Sequence, residues 1–179
     1  MRAAIFMERD GILNLDQADD GRFFPPLCLE QLAFNPEAIE PLRQLKSMGF
    51  LLIATTNQPG LSRGTLSRRE SDAINASLRL FFGLDDILVC PHNASDHCPC
   101  RKPNPGLLKE AAFKWHVNMD HSFVISNKWQ DAEAAHNAAC TSLLIASPWI
   151  GKGHRDIFLP RLADVVRTIS RFQPALLVA

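Results

Sequence analysis

A chain of 179 residues, 46% hydrophobic and 21% charged, has the material for one domain with a buried core. Its formal net charge is zero, so no global field draws it to nucleic acid or to an anionic membrane. No apolar run has the length of a membrane span, and Glu8, Arg9 and Asp10 cut short the N-terminal one, which speaks against a signal peptide and for a cytoplasmic protein.

Ala3 to Met7 reads as a buried strand that stops at Glu8-Arg9-Asp10-Gly11. From about Asn14 to Asn35 the chain is polar and proline-bearing, and includes Phe23-Phe24-Pro25-Pro26. It is too long for a simple turn, and loops of this length in compact domains are often functional. Pro36 opens a helix whose apolar positions Ile39, Leu42, Leu45 and Met48 keep helical spacing, and Gly49 ends it. Phe50 to Ala54 is a second apolar strand, followed by the turn-rich "TTNQPGLSRG". Ser67 and Glu70 form the pattern of a capping box for a helix running to about Phe82. The basic cluster Arg63, Arg68 and Arg69 reads as a solvated face.

Ile87 to Cys90 is a third short strand, and "CPHNASDHCPCRKPNPG" is a loop without core-forming residues. Pro105 starts a helix to about His116, and Ser122 to Ser126 is a fourth strand. A helix from about Asp131 to Ala139, a fifth strand from Ser142 to Ala146 and a last helix from Pro160 to Phe172 complete the chain. Apolar strands alternating with helices predict an α/β fold, with a parallel sheet of about five strands covered on both faces. No repeat, second domain or large cap insertion is visible, so residues 1–179 are expected to form one domain. In such sheets ligands sit beyond the carboxyl ends of the strands. Glu8 and Asp10, Thr56 and Asn57, the Cys-rich loop, and Asn127, Lys128 and Asp131 all follow strands and should meet at one edge.

Five cysteines, three of them crowded together, make a poor disulfide framework. Cys90-x-His92, five residues, then Cys98-x-Cys100 instead supplies three thiolates and an imidazole, the ligand set of a closed structural zinc site. The metal would staple a segment with no apolar means of holding itself together. Four protein ligands leave no open position, so a catalytic zinc is not expected. His97 does not fit the paired spacing and is expected to face solvent.

The zinc loop with its trailing "CRKPNPG" resembles the third motif of haloacid dehalogenase-type (HAD) phosphatases. The subgroup is the one acting on histidinol phosphate and on D-glycero-D-manno-heptose 1,7-bisphosphate. "FMERDGIL" is similar to its first motif, "TTNQPGLSRG" to its second and "FVISNKWQDAEAAHNA" to its fourth, in order along the chain. The resemblance implies a Rossmann-like HAD fold and a magnesium-dependent phosphatase of a small phosphorylated metabolite. It places Glu8 at the nucleophile and Asp10 at the general acid and base. Thr56 and Asn57 would bond phosphoryl oxygens, Lys102 would neutralise phosphate and nucleophile, and Arg101 and Lys128 would contact substrate. Glu8, Asp10 and Asn127 would form the magnesium site, with Asp131 the last acid of the motif. The short zinc loop, with Asp96 two residues before Cys98, leans towards the histidinol phosphatases.

Two positions depart from the family. The nucleophile is an aspartate there, and Glu8 is one methylene longer. Asn127 puts a neutral amide where an aspartate ligates magnesium, which prefers hard anionic oxygens. Ser126, beside it, replaces the usual glycine. A phosphomonoester hydrolase with weakened turnover is expected. The alternative is an inactive pseudophosphatase that binds a phosphorylated ligand or a protein partner.

Overall fold

A computed structural model describes residues 1–19 and 22–172. Its main sheet has six parallel strands among the described residues: β1 (Ala4–Met7), β4 (Leu51–Asn57), β5 (Asp86–Cys90), β6 (Phe123–Ser126), β7 (Thr141–Ile145) and β8 (Ile157–Leu159). The strand order is β5-β4-β1-β6-β7-β8, which puts the first strand in the middle. β2 (Gln17–Asp19) and β3 (Arg22–Phe24) form a separate antiparallel hairpin. The helices are α1 (Pro36–Ser47), α2 (Gly60–Arg63), α3 (Arg68–Phe82), α4 (Gly106–Trp115), α5 (Trp129–Asn137) and α6 (Val165–Phe172).

The apolar runs of the central strands β1, β4, β6 and β7 are unbroken because these strands are buried on both faces. Ile5, Met7, Leu52, Ala54 and Ile125 point to one layer, against Leu42 and Leu45 of α1, Ile74 and Leu78 of α3, and Val165 and Ile169 of α6. Ala4, Phe6, Leu51, Ile53 and Val124 point to the other, against Leu107 and Ala111 of α4 and Ala134 and Ala135 of α5. Each fully buried Leu or Ile contributes about 1.5–3 kcal/mol of transfer free energy. The helix signals act largely as read, although the capping box expected at Ser67 is only half formed, because the Glu70 carboxylate accepts from the Leu29 N–H at 2.9 Å instead. Asn35 accepts from the Glu37 N–H ahead of Pro36, Ser67 accepts from the Glu70 N–H, and Gly83 closes α3 in a left-handed conformation.

The sheet exceeds the expected five strands by β8. Ile157-Phe158-Leu159 is apolar but only three residues long, and its place is fixed from outside. The Asp156 carboxylate accepts from the Ser142 N–H at 2.8 Å and the Ser142 hydroxyl at 2.7 Å, docking β8 beside β7. The 14–35 stretch is not a plain loop, since it contains the hairpin and a 3-10 turn at Leu29–Gln31. No helix among the described residues is long and apolar enough to cross a membrane.

Candidate active site

Glu8 and Asp10 leave the end of β1, the central strand, and Gly11 turns the chain with φ +87°. A Cβ at Gly11 would collide with the side-chain amide of Asn127. Glycine is needed here for both conformation and space.

The Glu8 carboxylate is 2% exposed. Its Oε1 accepts from the Arg9 N–H at 2.9 Å, the Asp10 N–H at 3.3 Å and the Thr56 hydroxyl at 2.8 Å. Its Oε2 accepts from the Lys102 ammonium at 2.6 Å, and the Lys128 ammonium stands 4.0 Å away. Burial alone would push the Glu8 carboxyl up, but the Lys102 and Lys128 charges and the Lys102 and Thr56 hydrogen bonds hold it at about 2. Lys102 is also shared with Asp131 at 2.5 Å and with the Thr55 carbonyl at 2.8 Å. Burial disfavours the Lys102 ammonium, yet the two carboxylates keep its pKa raised. Asp131 is pushed up, first by burial and then by the Glu8 charge, against the pull of Lys102. One ammonium serves two buried acids, and the second acid is the less well satisfied.

Asp10 is gripped from two sides. Arg9, fully buried, reaches it through Nε at 2.9 Å and Nη2 at 3.3 Å. Gln58, which the motif reading did not single out, donates to Asp10 at 2.6 Å and to the Thr56 hydroxyl at 2.9 Å. Its only sequence signal was membership of the second motif.

These groups open onto a cavity of about 300 Å³ lined by Glu8, Asp10, Asn57, Arg101, Lys102, Lys128 and Asp131. Asp16, Pro25, Pro59, Gln130 and Trp149 complete it. Asp16 and Pro25 flank the hairpin, so the Phe23–Pro26 stretch does reach the mouth through Pro25. Burial, followed by the neighbouring charges, leaves the Asp16 carboxyl raised. Nothing in the polar 14–35 stretch marked Asp16 out, because only the fold brings it to the cavity.

Two expected residues behave differently. Both ends of the Asn57 amide are taken by the Lys102 main chain, each at 3.1 Å. Asn57 therefore pins Lys102, where the resemblance put it on phosphoryl oxygens. The Asn127 side chain packs against Gly11 and lines a neighbouring cavity with Ile12, Leu15 and Asn35, apart from the lining around Glu8. Ser126 accepts from the Lys128 N–H at 3.1 Å.

For a hard cation, the informative atoms are Asn127 Oδ1 and Asp131 Oδ2, both buried without a hydrogen-bond partner. Oxygens of this kind suit magnesium. The donor types fit, but of these two free oxygens only that of Asp131 brings charge, and the Glu8 and Asp131 carboxylates already share the Lys102 ammonium.

The Cys-rich loop follows β5 and gathers a cluster that could hold a metal. Donor atoms of Cys90, His92, Cys98 and Cys100 all lie within 4.8 Å of one another, and the sulfur–sulfur distances run from 3.3 to 3.6 Å. Tetrahedral zinc with bonds of about 2.3 Å would space sulfurs by about 3.8 Å, so the cluster fits with slight expansion. Burial and then the neighbouring sulfurs push the Cys100 thiol up to about 12, a crowding that a cation would relieve. His97 is exposed, as are Arg63, Arg68 and Arg69. Arg101 follows the last ligand and donates to the His92 carbonyl at 2.9 Å, so the loop carries Arg101 and Lys102 into the cavity.

Gly106 anchors that loop, because a Cβ there would run into the Pro99 main-chain carbonyl. Gly106→Ala is expected to cost about 1–3 kcal/mol through overpacking. Thermal unfolding checks this, and a melting temperature equal to the native one would contradict it.

A central-strand acid pair, a buried lysine from the third strand's loop and an acid opening the helix after the fourth strand together define a HAD-like hydrolase. A family model described as HAD-hydrolase-like matches residues 99–166. The chain is 33% identical over 153 residues to D-glycero-beta-D-manno-heptose-1,7-bisphosphate 7-phosphatase of Helicobacter pylori, covering 81% of this chain and 85% of that one. It is 31% identical to the Pasteurella multocida protein of the same name, covering 94% and 97%. The chain therefore belongs to the D-glycero-beta-D-manno-heptose-1,7-bisphosphate 7-phosphatase family. Its fold matches the crystal structure of D,D-heptose 1,7-bisphosphate phosphatase from B. bronchiseptica complexed with magnesium and phosphate, at TM-score 0.77 and 26% identity, covering 96% and 99%. These relatives stand on the heptose side of the subgroup, away from the histidinol lean of the loop length.

Proposed function

We propose that the protein is a phosphomonoester hydrolase of the heptose-bisphosphate type, with turnover weakened by Glu8 and Asn127. The supporting observation is the convergence of Lys102, Lys128 and Thr56 on the carboxylate at position 8, beyond the carboxyl end of the central strand. Phosphoryl transfer depends mainly on positioning and on neutralising oxygens. Lys102 and Thr56 would hold phosphoryl oxygens, and Arg101 and Lys128 would meet the substrate. Asp10, steered by Arg9 and Gln58, would protonate the leaving oxygen and then take a proton from water. Glu8 stands where the nucleophile belongs. Magnesium, when held by Glu8, the Asp10 carbonyl, Asn127 and Asp131, would supply charge neutralisation at the phosphoryl group. Cys90, His92, Cys98 and Cys100 would hold a structural zinc. Residues 1–179 would act as one domain, and reduced, metal-bound thiols suit the cytoplasm.

A second reading is an inactive relative that binds a phosphorylated ligand or a protein partner. It is favoured by the hydrogen bonds that tie both oxygens of the Glu8 carboxylate. Phosphate release from heptose 1,7-bisphosphate and from histidinol phosphate, measured for the native protein and Lys102→Ala, separates the two. Slow release that disappears in Lys102→Ala supports the hydrolase, and equal rates in both proteins contradict it.

A further inference from the structure

Backbone N–H groups, a hydroxyl and an ammonium aimed at one point make an anion hole. Here those donors are Arg9 N–H, Asp10 N–H, Thr56 Oγ1 and Lys102 Nζ, and they come from the β1 turn, β4 and the Cys-rich loop. The anion they hold is the chain's own Glu8 carboxylate. A carboxylate offers about four lone-pair sites. Three donors crowd Oε1 and the Lys102 ammonium takes Oε2, at 2.6–3.3 Å, so both oxygens are tied to the hole. An aspartate at position 8 would end about one carbon–carbon bond, roughly 1.5 Å, short of this point.

We propose that Glu8 is an internal anion whose carboxylate occupies the seat of the phosphoryl group, so that phosphate binds only when Glu8 withdraws. The inference rests on reading the cavity as a phosphoryl site. It adds that the free protein is self-occluded, with Lys102 committed inward. Removing the Glu8 carboxylate frees all four donors for an external anion, with Asp131 still holding the Lys102 ammonium in place.

The test is titration of inorganic phosphate into the zinc-loaded, full-length protein, followed by calorimetry, for the native chain, Glu8→Ala and Glu8→Gln. Glu8→Gln keeps the side chain's bulk and guards against a folding failure of Glu8→Ala. At least one variant should bind phosphate about tenfold or more tightly than the native chain, the scale of one hydrogen bond to a charged group. Adding Lys102→Ala to that variant should abolish the gain. Native protein that binds phosphate as tightly as both variants would overturn the occlusion alone. Absence of binding in all three proteins would overturn the phosphoryl-site reading and the occlusion with it.

Discussion

Restoring both Glu8→Asp and Asn127→Asp is expected to raise magnesium-dependent phosphate release at least about a hundredfold, the scale set by a positioning error of about 1 Å. The two changes act on one unit. Glu8→Asp withdraws the carboxylate from the donors of Thr56, Arg9 and Asp10 and returns an oxygen to the nucleophile's position. Asn127→Asp replaces a neutral oxygen, Oδ1, that lies buried and unpartnered beside Gly11. Glu8→Asp alone should open the phosphate seat yet recover little turnover, because the metal site still has a neutral amide at Asn127 in place of a carboxylate. Asn127→Asp alone should tighten magnesium binding and leave the seat filled. The effects are therefore expected to exceed the product of the single gains. Rates and magnesium affinities of the four proteins check this, and single gains that simply multiply would contradict the shared unit.

Stripping the metal from the Cys90, His92, Cys98 and Cys100 cluster is expected to unfold the loop and to empty the cavity of its cations. About one zinc per chain should be found in protein purified without added metal. The loop has no apolar core of its own beyond Cys90 and the sulfurs packed beside it. Several of its polar ties, such as Asn104 to the Cys98 carbonyl at 2.8 Å and Arg63 to Asn93 at 2.7 Å, are exposed and individually weak. Metal binding in such segments is folding free energy. Lys102, two residues past Cys100, is buried between two acids, so losing the loop exposes Glu8 and Asp131 to mutual repulsion. Cys98→Ser or chelation should lower the melting temperature by several degrees and remove phosphate binding in Glu8→Ala. Zinc-free protein with an unchanged melt would contradict the structural role.

Five of the six strands were legible as short apolar runs, and the sheet edge that carries the site followed from their alternation with helices. The four motifs were legible as local patterns, and Glu8 and Asn127 stood out against them. What the sequence could not carry was direction. Asn57 follows β4 as expected, but its amide turns to the Lys102 main chain. Asn127 follows β6 as expected, but its side chain leans on Gly11. Asp16 sits in a stretch with no pattern, and only tertiary structure brings it to the cavity. Strand β8 escaped notice because its place depends on the Asp156 carboxylate meeting Ser142, a contact between residues 14 apart. The donor hole around Glu8 was hidden for the same reason, since its donors come from the β1 turn, strand β4 and the Cys-rich loop.

The most direct measurement is phosphate release from heptose 1,7-bisphosphate at saturating magnesium, with the native protein and the Glu8→Asp, Asn127→Asp double variant side by side. A native rate about a hundredfold or more below that of the double variant is expected. A native protein as fast as the double variant, or faster, would show Glu8 to be a working nucleophile and would contradict the site as described.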